Sequence, residues 1–217
     1  MKKRKKGSRA GQVWQIVVYS FALIGVVSTI IFFGRLVTGQ FSSGSKQTKK
    51  VEKPQINVRL LDINPYSRPG NKLEHVKGVV IHYTANPGST AQQNRDYFEG
   101  LKDSHLTHAS SHFVVGIDGE IVQCIPTAEQ AYASNERNED TVAIECCHPD
   151  ESGKFSKDTY SSVVALTAYI CRKYHLSSQD VIRHYDITGK LCPKYYVENE
   201  GKWDAFKKDV AEKLGEE

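Results

Sequence analysis

The clearest hydrophobic pattern in the chain is the continuous apolar run GVVIHY at Gly78–Tyr83. A short run rich in β-branched residues is typical of a strand that is buried on both faces. Ser89, with Gln92 three residues later, resembles a capping box, and apolar residues up to Leu101 follow at helical spacing. The pattern predicts a helix directly after the loop that follows the strand.

Shorter patterns predict the remaining elements. The dipeptide Asp118-Gly119 separates two alternating segments, and it favours a tight hairpin turn because it tolerates positive φ. Further strands are predicted at 141–146 and 181–183, and further helices at 160–174 and 203–214. Helices mixed with strands and one hairpin predict an α/β domain with a central mixed sheet flanked by helices.

Residues 13–34 form an uncharged segment of 22 residues near the N-terminus. As a helix this segment is about 33 Å long, which is enough to cross a hydrocarbon core of about 30 Å. A secretory signal peptide is the alternative, but its apolar region is typically about 7–15 residues. No convincing small-x-small cleavage site follows Phe33. We therefore predict an uncleaved N-terminal transmembrane helix.

The distribution of charge orients this predicted helix. Residues 1–53 carry eleven Lys and Arg against one acid, Glu52, which gives a net charge of +10. Basic residues beside a membrane helix favour the cytoplasmic side, so the cluster from Lys2 to Arg9 places residues 1–12 in the cytoplasm. Everything after Arg35 is then predicted to lie outside the cytoplasmic membrane.

A linker and one folded domain are predicted to follow the membrane helix. Residues 35–55 are rich in Gly, Ser, Gln and Lys and have little apolar surface to bury, whereas the patterned segments lie within 56–217. Because the whole chain carries +4, the part from residue 54 onward carries −6. An acidic domain is poorly suited to covering phosphates, so we expect no nucleic-acid partner.

Five cysteines are too few and too irregularly spaced for a disulfide framework. Cys124, Cys146 and Cys171 lie in apolar segments, where we expect them to be small buried hydrophobes. Cys192 is the candidate for another function.

Two histidines and Cys192 carry metal-binding chemistry. His82 lies at the end of the first predicted strand, and His184 directly follows the strand at 181–183. Cys192 comes eight residues after His184, across a loop that contains Gly189. Two imidazoles and one thiolate suit Zn²⁺ and leave a fourth position open for water. Spacing alone leaves the alternative open that each histidine is a surface or hydrogen-bonded residue.

Four sequence blocks, in order, resemble the zinc-dependent N-acetylmuramoyl-L-alanine amidase family, which includes phage endolysins, bacterial autolysins and the peptidoglycan-recognition proteins of animals. The blocks are GVVIHYTANPG at 78–88, SSHFVVGIDGEIVQCIP at 110–126, TVAIECC at 141–147 and VIRHYDITGKLCP at 181–193. They extend over more than half of the chain and exclude the predicted anchor, the linker and the last helix. The resemblance implies hydrolysis of the amide between N-acetylmuramic acid and L-alanine in peptidoglycan.

Position by position, the resemblance makes His82, His184 and Cys192 the Zn²⁺ ligands. It implies that Glu145 transfers the proton from water to the leaving nitrogen and that Lys190 stabilises the oxyanion. The sequence supports the role of Glu145, because burying a carboxylate in an apolar strand is unfavourable unless it has a partner. Such an unusual placement indicates a function. In an extended stretch, Lys190 and Cys192 also point to the same side. A frayed strand end and a solvated loop remain the alternatives for Glu145 and Lys190.

Four more residues are predicted to contact the substrate. They are Tyr83, Thr84, Asn86 and His112. The first three follow His82, and Thr84 shares its strand face by i+2 spacing. His112 lies within a family block, but it could instead pack beside the ligands without touching the metal.

One segment departs from the family pattern. Where related amidases often have a Trp-His pair after the hairpin, this chain has Tyr132-Ala133-Ser134-Asn135, so substrate contacts on that rim are open. Four further histidines match no ligand position and are expected to be surface or hydrogen-bonded residues. They are His105, His108, His148 and His175.

Two other functions remain open. The domain could be a non-catalytic peptidoglycan-binding module, although such receptors usually lack a full ligand set. It could also be a zinc peptidase acting within the stem peptide, which the ligand set does not distinguish. We expect the protein to be a monomer that is located in the bacterial cell membrane. Its expected partners are peptidoglycan and the cytoplasmic membrane.

Overall fold

The computed structural model describes Trp14 and residues 51–216 of the chain. Six strands in this part form one sheet: β1 (Asn57–Val58), β2 (Gly78–Tyr83), β3 (Phe113–Val115), β4 (Ile121–Gln123), β5 (Thr141–Cys146) and β6 (Val181–Arg183). Their order across the sheet is β1-β4-β3-β5-β2-β6. All neighbours are parallel except the β3–β4 hairpin. The prediction of a mixed sheet is confirmed.

Five helices accompany the sheet: α1 (Ala91–Ser104), α2 (Lys157–Tyr174), α3 (His184–Thr188), α4 (Lys194–Glu198) and α5 (Glu200–Leu214). Two short 3₁₀ helices, Asn135–Glu139 and Ser178–Asp180, complete the described elements. Helices α2 and α5 share one hydrophobic core with one face of the sheet. Helix α1 packs on the other face, where Phe98 and Val114 belong to a second core. The predicted flanking of the sheet by helices is confirmed.

Side-chain alternation along β2 and β5 decides which residues face the α1 side of the sheet. On β2, Val79 and Ile81 point into the core beneath α2 and α5, so His82 points to the opposite face. On β5, Ile144 points into the same core, and Glu145 therefore shares the face of His82. The parallel register pairs His82 with Glu145. Two predicted site residues thus lie side by side.

The hairpin turn forms where the sequence predicts it. Gly119 adopts φ +81°, and its N–H donates to the Gly116 carbonyl over 3.1 Å. A Cβ at position 119 would lie 2.8 Å from Ser162 Oγ, so both the backbone conformation and the close packing require glycine.

Helix α1 begins one residue later than its predicted cap implies. Thr90 is the N-cap, and Thr90 and Gln93 form the reciprocal pair of hydrogen bonds, of 3.1 and 2.8 Å. Ser89 is already engaged, because its hydroxyl donates to the Asn86 carbonyl and accepts from the Asn94 side chain. The predicted pairing of Ser89 with Gln92 is therefore wrong by one position.

All five cysteines are free and buried, which confirms the expectation for Cys124, Cys146 and Cys171. The predicted membrane helix at 13–34 lies outside the described residues apart from Trp14, and so does most of the linker at 35–55. No helix within the described part of the chain is long and apolar enough to cross a membrane.

Candidate metal centre

The candidate site lies at the carboxyl ends of β2, β5 and β6, which are adjacent in the sheet. His82 is the last residue but one of β2, and His184 begins α3 immediately after β6. Parallel strands carry their carboxyl ends to one edge, and this is where sheet proteins commonly bind ligands. The sheet topology therefore brings together two histidines that are about a hundred residues apart in sequence.

Cys192 completes a three-residue cluster with these histidines. One potential ligand atom from each of His82, His184 and Cys192 lies within 4.8 Å of the others. The Nδ1 of His82 is 3.8 Å from the Sγ of Cys192. A tetrahedral zinc with bonds of about 2.1 Å to nitrogen and 2.3 Å to sulfur would separate two such atoms by roughly 3.6 Å. The donor set and its spacing fit a zinc ion.

A short loop returns the chain from α3 to this cluster. Gly189 ends α3 in the left-handed conformation, with φ +73°, as its position in the sequence suggests. The Cys192 N–H then donates to the Lys190 carbonyl over 2.6 Å, and the Tyr185 N–H donates to the Cys192 carbonyl over 2.9 Å. The stretch from 190 to 192 is thus a tight turn, and our assumption that it is extended is wrong.

The protonation states of the three residues follow from burial. Burial holds the pKa of His82 well below its usual 6.5, and repulsion between the protonated rings of His82 and His184 and from the Lys190 charge acts in the same direction. Burial also lowers the pKa of His184, so both imidazoles are neutral and carry a free lone pair at neutral pH. Burial raises the pKa of the Cys192 thiol to about 12, with Glu145 adding to the effect. This thiol keeps its proton until a cation displaces it.

Glu145 is the titratable carboxylate beside the cluster. It faces the same cavity as His82 and Cys192. Its Oε2 is buried and has no hydrogen-bond partner among the described residues. Burial raises the pKa of Glu145 to about 8, and the Lys190 charge opposes this shift. A carboxyl group with a pKa near neutrality and no structural partner is suited to exchanging a proton with a ligand.

The cavity has a volume of about 410 Å³ and is open to solvent. It is lined by His82, Tyr83, Phe98, His108, Ala109, Ser110, Tyr132, Ala133, Asn135, Asn138, Glu145, His184, Lys190 and Cys192. The structure thus brings Tyr83 and Lys190 to the metal cluster. It does not bring Thr84 or Asn86 to this wall: Thr84 lies just beyond β2, and Asn86 is exposed in the following turn.

His112 is another predicted site residue that the structure places away from the cavity. It is 1% exposed and is not among the residues that line the cavity. Its Nδ1 accepts from the Ala143 N–H over 3.0 Å, and its Nε2 lies 2.9 Å from the Glu129 carbonyl. Burial lowers its pKa to about 4, which keeps the ring neutral. Both ring nitrogens therefore join β5 to the segment after β4, and neither faces the cavity.

Two residues that sequence reasoning missed contact the two histidines of the candidate metal cluster. Ser134 Oγ lies 3.2 Å from His82 Nε2, and Asn135 Oδ1 lies 2.9 Å from His184 Nε2. An amide oxygen only accepts hydrogen bonds, so the Nε2–H of His184 donates to Asn135. The Nδ1 of His184 then keeps a lone pair that could bind a metal ion. The signal in the sequence was the departure from the Trp-His pair at this segment.

The remaining histidines differ from one another. His105 and His175 are exposed, as expected. His108 is also exposed, but it lines the cavity. His148 is buried, and its Nε2 has no hydrogen-bond partner within residues 51–216, so the expectation of a surface or fully hydrogen-bonded residue is wrong for this histidine.

Comparison with known proteins agrees with this geometry. The family model described as N-acetylmuramoyl-L-alanine amidase matches residues 72–195, which include every member of the metal cluster. The chain is similar to the N-acetylmuramoyl-L-alanine amidase CwlL of Bacillus licheniformis, with 36% identity over 166 residues that cover 70% of this chain and 46% of that protein. It is also similar to the N-acetylmuramoyl-L-alanine amidase BlyA of Bacillus subtilis strain 168, with 34% identity over 71% of this chain and 46% of that protein. The chain thus spans about half the length of these relatives.

Two solved structures share the fold. A mutant endolysin from Bacillus subtilis matches with a TM-score of 0.62 and 25% identity over 73% of this chain and 99% of that chain. The structure of PlyL matches with a TM-score of 0.62 and 22% identity over 72% of this chain and 97% of that chain. Both likenesses extend over nearly all of the other chain, so the sheet and its helices share the fold of those chains.

Proposed function

Because this chain belongs to the N-acetylmuramoyl-L-alanine amidase family, we propose that it hydrolyses the amide between N-acetylmuramic acid and L-alanine in peptidoglycan. One observation carries the proposal. Three metal-binding side chains converge beside a carboxylate, Glu145, that has an unpartnered buried oxygen. A receptor needs only a surface that fits its ligand, whereas a carboxylate free to act as a general base beside metal-binding side chains is what metal-assisted hydrolysis requires.

The metal-binding residues would be His82, His184 and Cys192. Bound Zn²⁺ would supply Lewis acidity to the amide carbonyl and make water more acidic. Ser134 and Asn135 hold the outer nitrogens of the two histidines and so fix the orientation of both rings.

Glu145 would carry the proton in this reaction. Its side chain faces the cavity from β5, and the strand fixes its position next to His82. As a carboxylate it would accept a proton from the attacking water, and as a carboxylic acid it would donate that proton to the departing L-alanine nitrogen. A pKa of about 8 lets both forms exist near neutral pH, and such a transfer contributes about 10²–10⁴ in rate.

Lys190 would stabilise the negative charge that develops on the carbonyl oxygen. It is the one Lys or Arg among the described residues that line the cavity. It lies close enough to lower the pKa values of His82, His184 and Glu145 through its charge. A preorganised donor of this kind contributes on the order of 10²–10³ in rate. Tyr83 would contact the substrate on the same wall, while the substrate contacts of Thr84 and Asn86 stay predictions from the sequence.

Product analysis tests this proposal against its two alternatives. Purified peptidoglycan is incubated with the zinc-loaded chain, and the products are separated and identified by mass spectrometry. The proposal predicts glycan strands with an intact lactyl carboxylate and stem peptides with a free L-alanine amine. A new amine at another stem residue would identify a peptidase, and binding without products would identify a peptidoglycan receptor.

We also propose that residues 13–34 anchor the enzyme in the cytoplasmic membrane, with residues 1–12 inside and the domain facing the wall. The support is the sequence alone: an uncharged segment of 22 residues preceded by a basic cluster. Protease added to intact spheroplasts should remove the domain but leave the N-terminus protected in the membrane fraction. Recovery of the chain in the soluble fraction would contradict the anchor. The monomeric state stays a prediction.

A further inference from the structure

Arg183 is a buried arginine at the end of β6, immediately before His184, and it is 6% exposed. Its Nη2 donates to Asp186 Oδ1 over 2.7 Å, and its Nε lies 3.2 Å from both carboxylate oxygens of that residue. Its Nη1 donates to the Tyr196 carbonyl over 3.0 Å and to Glu200 Oε2 over 2.7 Å. One guanidinium group thus joins α3, α4 and α5.

Asp186 links this guanidinium group to the helical turn that carries His184. The backbone N–H of Arg183 donates to Asp186 Oδ2 over 2.8 Å, so both the side chain and the main chain of Arg183 are bonded to one carboxylate. Helix α3 has only five residues and begins at His184. A helix of about one turn is not stable by itself, so these contacts hold the His184 backbone and the base of its side chain.

The same guanidinium group holds the segment that carries Cys192. Helix α4 begins two residues after Cys192, and its first turn includes Tyr196. Arg183 donates to the Tyr196 carbonyl, and the Tyr185 N–H donates to the Cys192 carbonyl over 2.9 Å. The segments that bear His184 and Cys192 are therefore joined by one side-chain contact and one backbone contact.

The planar shape of the guanidinium group is also used. Its Cζ lies 5.3 Å from the centre of the Trp203 ring and 5.4 Å from that of the Tyr185 ring. Trp203 is 4% exposed and belongs to the hydrophobic core shared by α2, α5 and the sheet. A lysine has the same charge, but it lacks the planar group with five N–H donors and cannot make all of these contacts together.

We propose that Arg183 is a positioning residue of the metal centre, which sets the separation of His184 and Cys192 before an ion binds. This inference rests on the proposed function only in taking these two residues as zinc ligands. Stabilisation of the fold is the competing explanation, because disrupting a buried arginine that is paired with acids is also destabilising. Zinc affinity distinguishes the two, since a contact that supports only the fold leaves the affinity of the folded protein unchanged.

The zinc affinity of Arg183→Lys in the full chain measures the positioning effect. We expect this variant to bind zinc about 10- to 100-fold more weakly than the parent in competition with a chromophoric chelator. Arg68→Lys is the matched control, because Arg68 is also partly buried and donates from Nε and Nη2 to Glu129 over 2.8 Å, in segments without a proposed zinc ligand. This control should lose stability in urea but keep the parental zinc affinity.

Cobalt spectroscopy gives a second readout that does not depend on activity. Co²⁺ bound in place of zinc reports the geometry of its ligands through its visible absorption. The thiolate band from Cys192 should shift or weaken in Arg183→Lys and stay parental in Arg68→Lys. If Arg183→Lys does not fold, Asp186→Asn takes its place: the amide oxygen still accepts from Arg183 but the charge is lost, so zinc binding should weaken several-fold.

Parental zinc affinity and a parental cobalt spectrum in the folded Arg183→Lys variant, or in Asp186→Asn in its place, would overturn the proposal and leave Arg183 as a contact of the fold. That result is compatible with the proposed hydrolysis if the variant still releases L-alanine amines. If Arg183→Lys weakens zinc binding as expected but the zinc-loaded parent releases no L-alanine amine, the proposed hydrolysis fails and the positioning role of Arg183 stands.

Discussion

Two buried histidines of the same sheet, His82 and His112, have opposite surroundings. Each is 1% exposed. His112 has protein partners at both ring nitrogens, the Ala143 N–H and the Glu129 carbonyl. His82 has Ser134 at one nitrogen, while the other nitrogen faces a thiol at 3.8 Å inside an open cavity.

This difference in hydrogen-bond partners distinguishes a histidine that stabilises the fold from one that is available for chemistry. Burial does not distinguish them, because both are equally buried. A buried polar group whose hydrogen bonds are all satisfied stabilises the fold. At the carboxyl ends of β2 and β5, by contrast, Glu145 Oε2 has no partner among the described residues, and the partner of His82 Nδ1 is the Cys192 thiol, a weak donor, at 3.8 Å. The region around His82 therefore keeps polar atoms available for a ligand, whereas both ring nitrogens of His112 are engaged by the protein.

Replacing Glu145 is expected to have the largest effect, and this effect is on the catalytic rate. Glu145→Gln keeps the shape of the side chain but cannot accept a proton, so kcat should fall by about 10²–10⁴. Zinc affinity should not change, since Glu145 is not a proposed ligand. Glu139→Gln, an exposed acid near the rim, is the control and should keep the parental rate. A fully active Glu145→Gln variant would contradict the assignment of Glu145 as the group that transfers the proton.

Loss of the Asn135 side chain should weaken zinc binding by about 10- to 100-fold. Asn135 has φ +53°, so Asn135→Gly removes the side chain without straining the backbone. Asn135→Asp retains an acceptor for His184 Nε2 and should bind zinc nearly as well as the parent. Competition with a chromophoric chelator gives the affinities. Equal affinities for the glycine and aspartate variants would show that the contact does not orient His184.

The pH dependence of zinc binding should report one displaced proton. The Cys192 thiol has a pKa raised to about 12, whereas lowered pKa values leave His82 and His184 already neutral. Zinc affinity should therefore rise about tenfold per pH unit between about pH 7 and 9. Measuring the zinc affinity in the Glu145→Gln variant ensures that no proton released by the Glu145 carboxyl group contributes to the pH dependence. An affinity that is flat with pH would mean that the thiolate forms without the metal.

The smallest predicted effect concerns stability and is confined to His112. His112→Phe leaves the Ala143 N–H and the Glu129 carbonyl without partners, which should cost about 1–3 kcal/mol for each group. Urea unfolding of the metal-free protein measures this loss, with His75→Ala at an exposed histidine as the control. Zinc affinity of the folded variant should equal that of the parent. A selective loss of zinc would instead make His112 part of the metal centre.

Strand ends could be predicted from the sequence because their signals are local. The apolar runs at 78–83, 141–146 and 181–183 correspond to β2, β5 and β6 at the predicted bounds. Alternation and parallel order then bring His82 and Glu145 to one face and one edge of the sheet. These elements place His82 and His184 at strand ends, but the choice of His82, His184 and Cys192 as zinc ligands came from the resemblance to the amidase family, because spacing alone left their other roles open.

The rim could not be predicted because its geometry depends on contacts between side chains and backbone. The Asn138 side chain accepts from the Ala133 and Ser134 N–H groups over 3.0 and 2.6 Å, and this loop structure brings Ser134 and Asn135 to the two histidines. The partner of His112, the Glu129 carbonyl, is similarly set by the path of the chain after β4. No periodicity in the sequence reports such contacts.

The most direct test of the central claim is the release of L-alanine amines from purified peptidoglycan by the metal-free chain as zinc is added back. We predict that activity returns in proportion to zinc and saturates at one ion per chain, and that Cys192→Ser neither retains zinc nor regains activity. The same rate with and without zinc, or a fully active Cys192→Ser, would contradict the assignment of His82, His184 and Cys192 as the catalytic metal centre.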